Sequence, residues 1–356
     1  MFRSKGSSIL ELLSTSLARS GKGSNAKRAQ RVEGALQPAF KQAQNSFVPS
    51  RHYQSPFLRP APYQHFRGRK PWWQSQSTVR IMLVVGGAGG VYYVAHIETV
   101  PYTHRRHAVL VSPATERSLG AQTFKQFRDE AEAAGKLLPA QHPVSRAVRE
   151  VGLRIAAVAQ EDVDGQPIQH MKDLQWEFAV INEPGNVNAF VAPGGKVVFY
   201  TGLLQLLKTK NEIAAVMGHE AAHVVARHTG EKLSSTLIFA VLQVAAGLLL
   251  GIHLPADLAQ LVIFLPNSRK QESEADAIGM QLAAKACFNP GAAALVFQKL
   301  GAAEQQQGVQ IPTMLRTHPL SKDRVKAIEH NLPKAEQQYE LAGCNAPKGF
   351  FGSGAW

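Results

Sequence analysis

EIAAVMGHEAAHVVAR, the segment Glu212–Arg227, is helical by propensity and by the period of its apolar residues. His219 and His223 are four residues apart, so both imidazoles fall on one helix face and can bind the same zinc ion. The carboxylate of Glu220 can then reach a zinc-bound water as a general base, which is the arrangement of zinc proteases. An ordinary amphipathic helix with two surface histidines is the alternative, and a third ligand would exclude it.

A catalytic zinc needs a third protein ligand and an open position for water. The metzincin pattern requires a glycine three residues after His223 and a further histidine beyond it, but Ala226 and Thr229 occupy those places. That class is therefore excluded. His228 lies one position away from the required histidine, and we expect it to have a structural role or to support a ligand.

The later segment SRKQESEADAIGMQLAAKAC, residues 268–287, supplies a glutamate instead. Glu272 is the expected third zinc ligand, and Asp276, one turn further on, is expected to orient a ligand histidine by a hydrogen bond. Glu274 lies about 200° around the helix from Glu272 and should point elsewhere. Taken alone, the segment would pass for an acidic helix start that the helix dipole stabilises. Its order after the two histidines favours the metal site.

The fold class expected is α+β, mainly helical, with a small β-sheet in a metallopeptidase domain over residues 107–340. Two helices are predicted before the sheet, over residues 115–138 and 144–161. The strand-like runs are residues 176–181, 189–192 and 196–200, with turn signals at Asn186 and at Pro193-Gly194-Gly195. From Leu203 onward the sequence is mainly helical, and residues 341–356 are expected to form a C-terminal tail.

These motifs together resemble the gluzincin peptidases related to the CAAX-processing endoprotease and to bacterial HtpX. HEAAH followed by SRKQESEAD carries most of the resemblance. Further similarity lies in NAF at residues 188–190, PGGK at 193–196, TGLL at 201–204, and HPL at 318–320 with Arg324. The resemblance covers residues 108–333. A leader and one membrane span make the chain most similar to the Oma-type mitochondrial inner-membrane branch, whereas the CAAX enzyme has many spans.

The resemblance implies an endopeptidase with one Zn²⁺ per chain and polypeptide substrates in or near the mitochondrial inner membrane. The activity expected is cleavage of membrane-proximal segments during quality control and stress-dependent processing. The resemblance also implies that His318 faces the metal, where it binds the oxyanion or blocks the resting site. The strand at Asn188, Ala189 and Phe190 can pair with an extended substrate by β-addition, although the ordinary interpretation is a sheet edge without a ligand.

The formal net charge of +13 lies in the first third of the chain. Residues 1–106 contain 16 Lys/Arg and 3 Asp/Glu, whereas residues 107–356 contain 23 of each. The folded domain thus lacks a charge excess, which argues against a nucleic-acid partner. Residues 1–73 are rich in Arg and Ser, poor in acids, and amphipathic near the start, which is typical of a mitochondrial transit peptide followed by a disordered leader. A disordered basic tail without a targeting role is the alternative.

Two apolar stretches raise the question of a membrane. IMLVVGGAGGVYYVAHI, residues 81–97, predicts a single transmembrane helix over residues 79–98, with a buried glycine-rich segment as the alternative. More basic residues precede this stretch than follow it, so the catalytic domain is expected in the intermembrane space. Residues 237–265 are expected to form a helical hairpin packed on the domain, or an element that dips into the bilayer. A full span there would separate the two parts of the zinc site.

Four further points stay open. Cys287 and Cys344 are too few for a cysteine zinc site, but they can form one disulfide in an oxidising compartment. A zinc-stabilised, chaperone-like protein that binds without cleaving is the main alternative function, although it would not need Glu220. The same protease chemistry in the endoplasmic reticulum is another alternative, and assembly into a homo-oligomer is not decided by the sequence.

Overall fold

The structure of the protein is a computed structural model, which describes residues 75–251, 265–306 and 313–344. The expected transit peptide and leader at residues 1–73 lie outside these ranges. The first elements are α1 (Gln76–Ala95), β1 (Ile97–Thr99), β2 (Arg106–Ala108), α2 (Pro113–Ala133), α3 (Pro143–Val158), β3 (Glu177–Ile181), β4 (Ala189–Ala192) and β5 (Lys196–Tyr200). The remaining helices are α4 (Thr201–Leu206), α5 (Lys210–Val225), α6 (His228–Leu250), α7 (Leu265–Lys285), α8 (Ala292–Gln306), α9 (Thr313–Thr317) and α10 (Lys322–Leu341). A mainly helical α+β fold is thereby confirmed.

Helix α1 matches the predicted membrane span in length and composition. It has 20 residues, none of which is buried. At 1.5 Å per residue it is about 30 Å long, which equals the thickness of the hydrocarbon core of a bilayer. The segment His228–Leu248 of α6 is also long enough and apolar enough to cross a membrane.

Three strands form the predicted small sheet, in the order β3-β5-β4. β3 pairs with β5 in parallel, and β4 pairs with β5 in antiparallel orientation. The Pro193-Gly194-Gly195 turn joins β4 to β5, with φ of +86° at Gly194 and +76° at Gly195, values that L side chains rarely adopt. All five residues of the central strand β5 are buried. The strand predictions are confirmed to within one residue.

Helices α2 and α3 are both shorter than predicted, and a local signal ends α2. Ser112 caps α2 by accepting a hydrogen bond from the backbone N–H of Thr115. Gly135, with φ of +67°, follows the last turn of α2 and stops the helix before residue 138. Both helices carry proline at their first position, where its missing N–H is not needed.

Helix α6 corrects one prediction. A hairpin packed on the domain would bury its first arm, but Leu237, Val241, Val244 and Leu248 are exposed. The packed arm is therefore wrong for the described part of this segment, whose predicted turn and second arm lie at residues that the structure does not describe.

The two cysteines form a disulfide, which the sequence had left open. Cys287 and Cys344 have Cα atoms 5.3 Å apart and are separated by 57 residues in the chain. The bond joins the end of α7 to the turn after α10, so it fixes the two helices that pack side by side behind the candidate metal centre.

Candidate metal centre

Helix α5 carries the two predicted histidines, and its start is fixed by a capping box. The Thr209 side chain accepts a hydrogen bond from the backbone of Glu212, whose carboxylate accepts one from the backbone N–H of Thr209 in return. The helix ends at Val225, two residues before the predicted end, because Arg227 adopts a left-handed conformation with φ of +53°. This reversal starts α6 at once and brings His228 back against α5.

Two glycines let the helices that carry the predicted ligands cross at backbone contact. A Cβ atom on Gly218 of α5 would lie 2.5 Å from the carbonyl oxygen of Gly279 on α7. A Cβ atom on Gly279 would lie 2.7 Å from the backbone nitrogen of His219. No ordinary side chain fits at either position. The sequence analysis missed this pair, since each glycine is part of an otherwise regular helix.

The crossing brings His219, His223 and Glu272 together at one point. The Nε2 atoms of the two histidines are 3.2 Å apart. Oxygens of Glu272 lie 3.4 Å from Nε2 of His219 and 3.7 Å from Nε2 of His223. Ligands about 2.1 Å from a tetrahedral zinc ion are about 3.4 Å apart, so these spacings fit the metal. Two imidazole nitrogens at this distance share either a proton or a metal ion.

Asp276 supports the first histidine, as predicted. Its Oδ1 atom lies 2.9 Å from Nδ1 of His219, which leaves Nε2 of that ring for the metal. Arg324 of α10 donates two hydrogen bonds of 2.8 Å to Asp276 and also lies 3.2 Å from Glu272. The same guanidinium donates to the carbonyl oxygens of His318 and Pro319. Arg324 therefore fixes the carboxylates and the loop that carries His318.

A second chain of contacts supports His223, and the sequence analysis found only part of it. Nδ1 of His223 lies 2.8 Å from Nδ1 of His228, and Nε2 of His228 lies 2.9 Å from Glu274. Glu274 also accepts hydrogen bonds from Arg105 and Thr103. Glu274 does point away from the metal, as expected, yet it orients a ligand through His228. The signal in the sequence was the histidine five residues after His223.

The electrostatics of the centre favour ionised carboxylates beside the histidines. Burial raises the pKa of Glu272, but hydrogen bonds and charge from His219 and His318 outweigh it and hold that pKa well below its usual range. Burial lowers the pKa of His219, but Asp276 and Glu272 outweigh it and raise the pKa above its usual value. Burial and neighbouring histidines lower the pKa of His223, so that ring is neutral. A cation that binds here must displace the proton of His219.

Glu220 stands beside this cluster and is buried. Its Oε2 atom accepts a hydrogen bond of 3.2 Å from the backbone N–H of Val191 in β4. Its Oε1 atom is buried without a hydrogen-bond partner in the described parts of the chain. An unsatisfied buried oxygen costs about 1–3 kcal/mol, and the position of this one beside the cluster makes it a candidate for a chemical role.

His318 follows helix α9 and reaches the same cluster. Its Nδ1 atom lies 2.9 Å from Glu272 and 3.3 Å from Nε2 of His219. Its Nε2 atom lies 3.5 Å from Oε1 of Glu220. The four potential ligand atoms of His219, His223, Glu272 and His318 all lie within 4.8 Å of one another. His318 thus has the position of a fourth ligand.

Strand β4 is the edge of the sheet nearest the cluster. The carbonyl oxygen of Asn188 accepts a hydrogen bond from the backbone N–H of Tyr200, so Asn188 faces β5. Because bonded pairs alternate along an antiparallel ladder, the backbone groups of Phe190 also face β5, whereas those of Ala189 and Val191 face the open edge. The side-chain Oδ1 atom of Asn188 is buried and unpaired in the described region.

Comparisons with known proteins agree with this geometry. Residues 150–332 match Peptidase family M48. The chain is 40% identical over 264 residues to the mitochondrial metalloendopeptidase OMA1 of Schizosaccharomyces pombe, over 74% of this chain and 74% of that protein. It is 32% identical over 285 residues to the protein of the same name in Saccharomyces cerevisiae, over 78% of this chain and 81% of that one. The metalloprotease LoiP of Escherichia coli is 27% identical over 231 residues, or 60% of this chain and 86% of LoiP. The family match includes every residue of the metal cluster.

Proposed function

The chain belongs to peptidase family M48 and is a metalloendopeptidase, and from this premise we propose that it cleaves membrane-proximal segments of mitochondrial inner-membrane proteins. The proposed role is quality control and stress-dependent processing. One observation carries the chemistry: His219, His223 and Glu272 converge within ligand distance beside Glu220. The buried Oε1 atom of Glu220 has no hydrogen-bond partner in the described part of the chain and lies 3.5 Å from Nε2 of His318.

The donor set fits zinc. Two imidazoles and one carboxylate are the ligands of many catalytic zinc sites, and their spacings here match a tetrahedral ion. His219, His223 and Glu272 would hold Zn²⁺, which supplies a polarising charge for the scissile carbonyl and acidifies water. Asp276 and His228 fix the two imidazoles from behind, so that both Nε2 atoms stay directed at the site.

Glu220 is proposed as the general base. Its Oε2 atom is held by Val191, and this leaves Oε1 to accept a proton from the attacking water. The same oxygen then donates that proton to the amide nitrogen of the leaving peptide. General acid–base catalysis of this kind contributes about 10²–10⁴-fold in rate. A protein that binds zinc only for stability would gain nothing from an unpaired buried carboxylate oxygen.

The open edge of β4 is proposed to hold the substrate. An extended peptide can pair with the backbone groups of Ala189 and with the carbonyl oxygen of Val191, whose N–H is already donated to Glu220, and this places the peptide alongside Glu220. Main-chain pairing of this kind requires an extended, unfolded substrate segment but no particular sequence. Segments next to a membrane are proposed to meet that requirement. The ring centroids of Phe190 in β4 and Phe127 in α2 are 4.9 Å apart, and this contact packs the strand against α2.

His318 has two proposed roles in this centre. Its Nδ1 atom lies among the ligand atoms, which supports a resting state in which His318 occupies the position that water needs. Its Nε2 atom is close to Glu220, which supports a role in binding the oxyanion once the loop has moved. Both roles keep His318 in the catalytic machinery.

Mitochondrial membrane attachment is proposed from α1 and from the names of the relatives. Helix α1 is exposed along its length and long enough to cross a bilayer. The basic residues that precede it favour a catalytic domain in the intermembrane space. A fluorescent tag fused to residues 1–107 tests the location, and reticular labelling would refute mitochondrial targeting.

Substitution of the proposed base tests the chemistry directly. Glu220→Gln should keep zinc at one ion per chain and lower the rate of peptide cleavage by at least about a hundredfold. Glu150→Gln is the matched control, because Glu150 of α3 forms an exposed ion pair with Lys210 at the start of α5 and is not part of the metal cluster. Cleavage by Glu220→Gln at the rate of the control would exclude the proposed mechanism.

A further inference from the structure

The outer part of helix α6 carries apolar side chains that the domain does not cover. Ser234 is the last buried residue of the helix, and no described side chain from residue 235 to residue 248 is buried. Leu237, Val241, Val244 and Leu248 are 51–71% exposed. Exposed apolar surface of this extent marks an interaction site.

The exposed part of α6 begins where α7 enters the domain. Glu231 of α6 accepts a hydrogen bond from the side chain of Gln271 of α7. One turn deeper, His228 of α6 contacts Glu274 of α7. The two helices are thus adjacent at the point where one leaves the domain and the other enters it.

The C-terminal end of α1 lies close to the point where α6 leaves the domain. The carbonyl oxygen of His96, which follows the last residue of α1, accepts a hydrogen bond of 3.0 Å from the backbone N–H of Val109. The next backbone N–H, that of Leu110, donates a bond of 2.8 Å to the hydroxyl of Ser234. Two consecutive hydrogen bonds therefore connect the end of α1 to the last buried residue of α6.

We infer that residues 237–250 of α6 insert into the bilayer that α1 spans, from the side of the catalytic domain and without crossing it. The inference rests on the membrane attachment proposed above. Fourteen helical residues reach about 21 Å, whereas the hydrocarbon core is about 30 Å thick. The chain must also return to the same side, because Glu272 of α7 joins His219 of α5 in one centre.

The charges at the base of α6 and α7 agree with this placement. Lys232, Arg269 and Lys270 are exposed just outside the apolar part, in the region where lipid headgroups would lie. From Leu233 to Leu250 the sequence of α6 contains no charged residue. Basic residues at the ends of a membrane segment are favoured by anionic headgroups.

Lipid is a better occupant than a protein surface because the exposed residues are not confined to one stripe. Leu237, Val241, Val244 and Leu248 share one side of α6, but Leu242, also exposed, lies about 140° away around the axis. A helix that docks into a protein groove covers a single stripe and keeps a polar opposite face. Lipid chains can cover all sides of α6 together.

This placement has a consequence for the substrate. His228, which supports a metal ligand, precedes Leu237 by nine residues, or about 14 Å along the helix axis. The candidate centre would therefore lie roughly 14 Å from the first inserted residue. At that distance from the membrane surface, only substrate segments next to the membrane can reach it. Insertion of α6 would thus select membrane-proximal substrate segments by their distance from the bilayer and not by their amino-acid sequence.

The test is a depth measurement on the full chain in vesicles of phosphatidylcholine, phosphatidylethanolamine and cardiolipin. Single cysteines replace Val241, Val84 in α1, or Leu153 in α3, and each carries the polarity-sensitive fluorophore NBD. Both native cysteines are in the disulfide and do not react with the label. Leu153 is the matched control: it is 47% exposed, next to Arg154, which bonds Ala286 at the opposite end of α7. Zinc content measured on each sample checks that the domain is folded.

The expected result is a blue-shifted emission at Val241→Cys, with quenching by nitroxides on the lipid acyl chains several-fold stronger than at Leu153→Cys. Emission typical of water at position 241 would overturn the inference. A blue shift there without acyl-chain quenching would also overturn it, because the label would then be buried in a second protein copy. The probe at position 84 reports separately on membrane attachment, so a lipid signal at 84 with none at 241 refutes the insertion of α6 alone.

Discussion

Replacing Gly279 by alanine should separate the two helices that carry the metal ligands. The added Cβ atom would lie 2.7 Å from the backbone nitrogen of His219 and 2.9 Å from its Cα atom. Both neighbours are backbone atoms, which cannot move aside by changing rotamer. To reach an ordinary contact of 3.4 Å, the helices must separate by roughly 0.7 Å.

The effect on metal binding follows from that displacement. Glu272 lies two turns before Gly279 on the same helix, so a shift of α7 moves its carboxylate relative to His219. Metal–ligand distances tolerate changes of only about 0.2 Å. We therefore expect Gly279→Ala to lower zinc affinity at least about tenfold, which is the lower end of the effect of disturbing the support of a ligand.

The control is Gly301→Ala, a glycine in α8 whose added Cβ would have its nearest neighbour at an ordinary 3.7 Å. Alanine is the better helix former by about 1 kcal/mol, so the control should gain stability. Overpacking costs about 1–3 kcal/mol, so Gly279→Ala should lose stability relative to the control. Competition with a chelating dye measures zinc affinity, and denaturant unfolding measures stability. Wild-type affinity together with a gain in stability like that of the control would refute the reasoning.

Two further predictions concern the supports of the centre. Glu274→Gln should lower zinc affinity about 10–100-fold, because the carboxylate that orients His228, and through it His223, loses its charge; an unchanged affinity in the same dye competition would exclude this role. The disulfide between Cys287 and Cys344 closes a long loop, so its reduction should lower the free energy of unfolding by about 2–4 kcal/mol. Coincident urea unfolding curves with and without reductant would contradict that expectation.

The metal ligands share a common plan of support. Each histidine of α5 is held from behind by a carboxylate of α7, His219 directly by Asp276 and His223 through His228 by Glu274. The two carboxylates lie two residues apart, one on each side of the ligand pair. One helix thus supplies the proposed third ligand and the supports of the other two, so the spacing of α5 and α7 should control metal binding.

Much of the centre was predictable because its spacing is local. His219 and His223 share a helix face by the helical period alone, and Glu272 and Asp276 do so for the same reason. The strands were predictable from their apolar runs and from the glycine turn that joins β4 to β5. The contribution of Glu274 was missed, because the helical period shows only that Glu274 points away from Glu272 and not that His228 lies on that side. The exposure of the outer half of α6 was not decided by the sequence, which left a packed hairpin and a membrane element as alternatives, since an apolar run does not reveal what covers it.

What the amino-acid pattern specifies here is the chemical identity of the candidate site: two imidazoles, a proposed general base and a proposed acidic ligand, each on a helix whose period sets which side chains share a face. What depends on packing is their meeting. His219 lies 57 residues from Asp276 and 99 from His318, and the glycine contact between α5 and α7 sets how closely these groups approach. The physical reason is that the helical period fixes directions within one helix, whereas distances between helices depend on the atoms at their crossing.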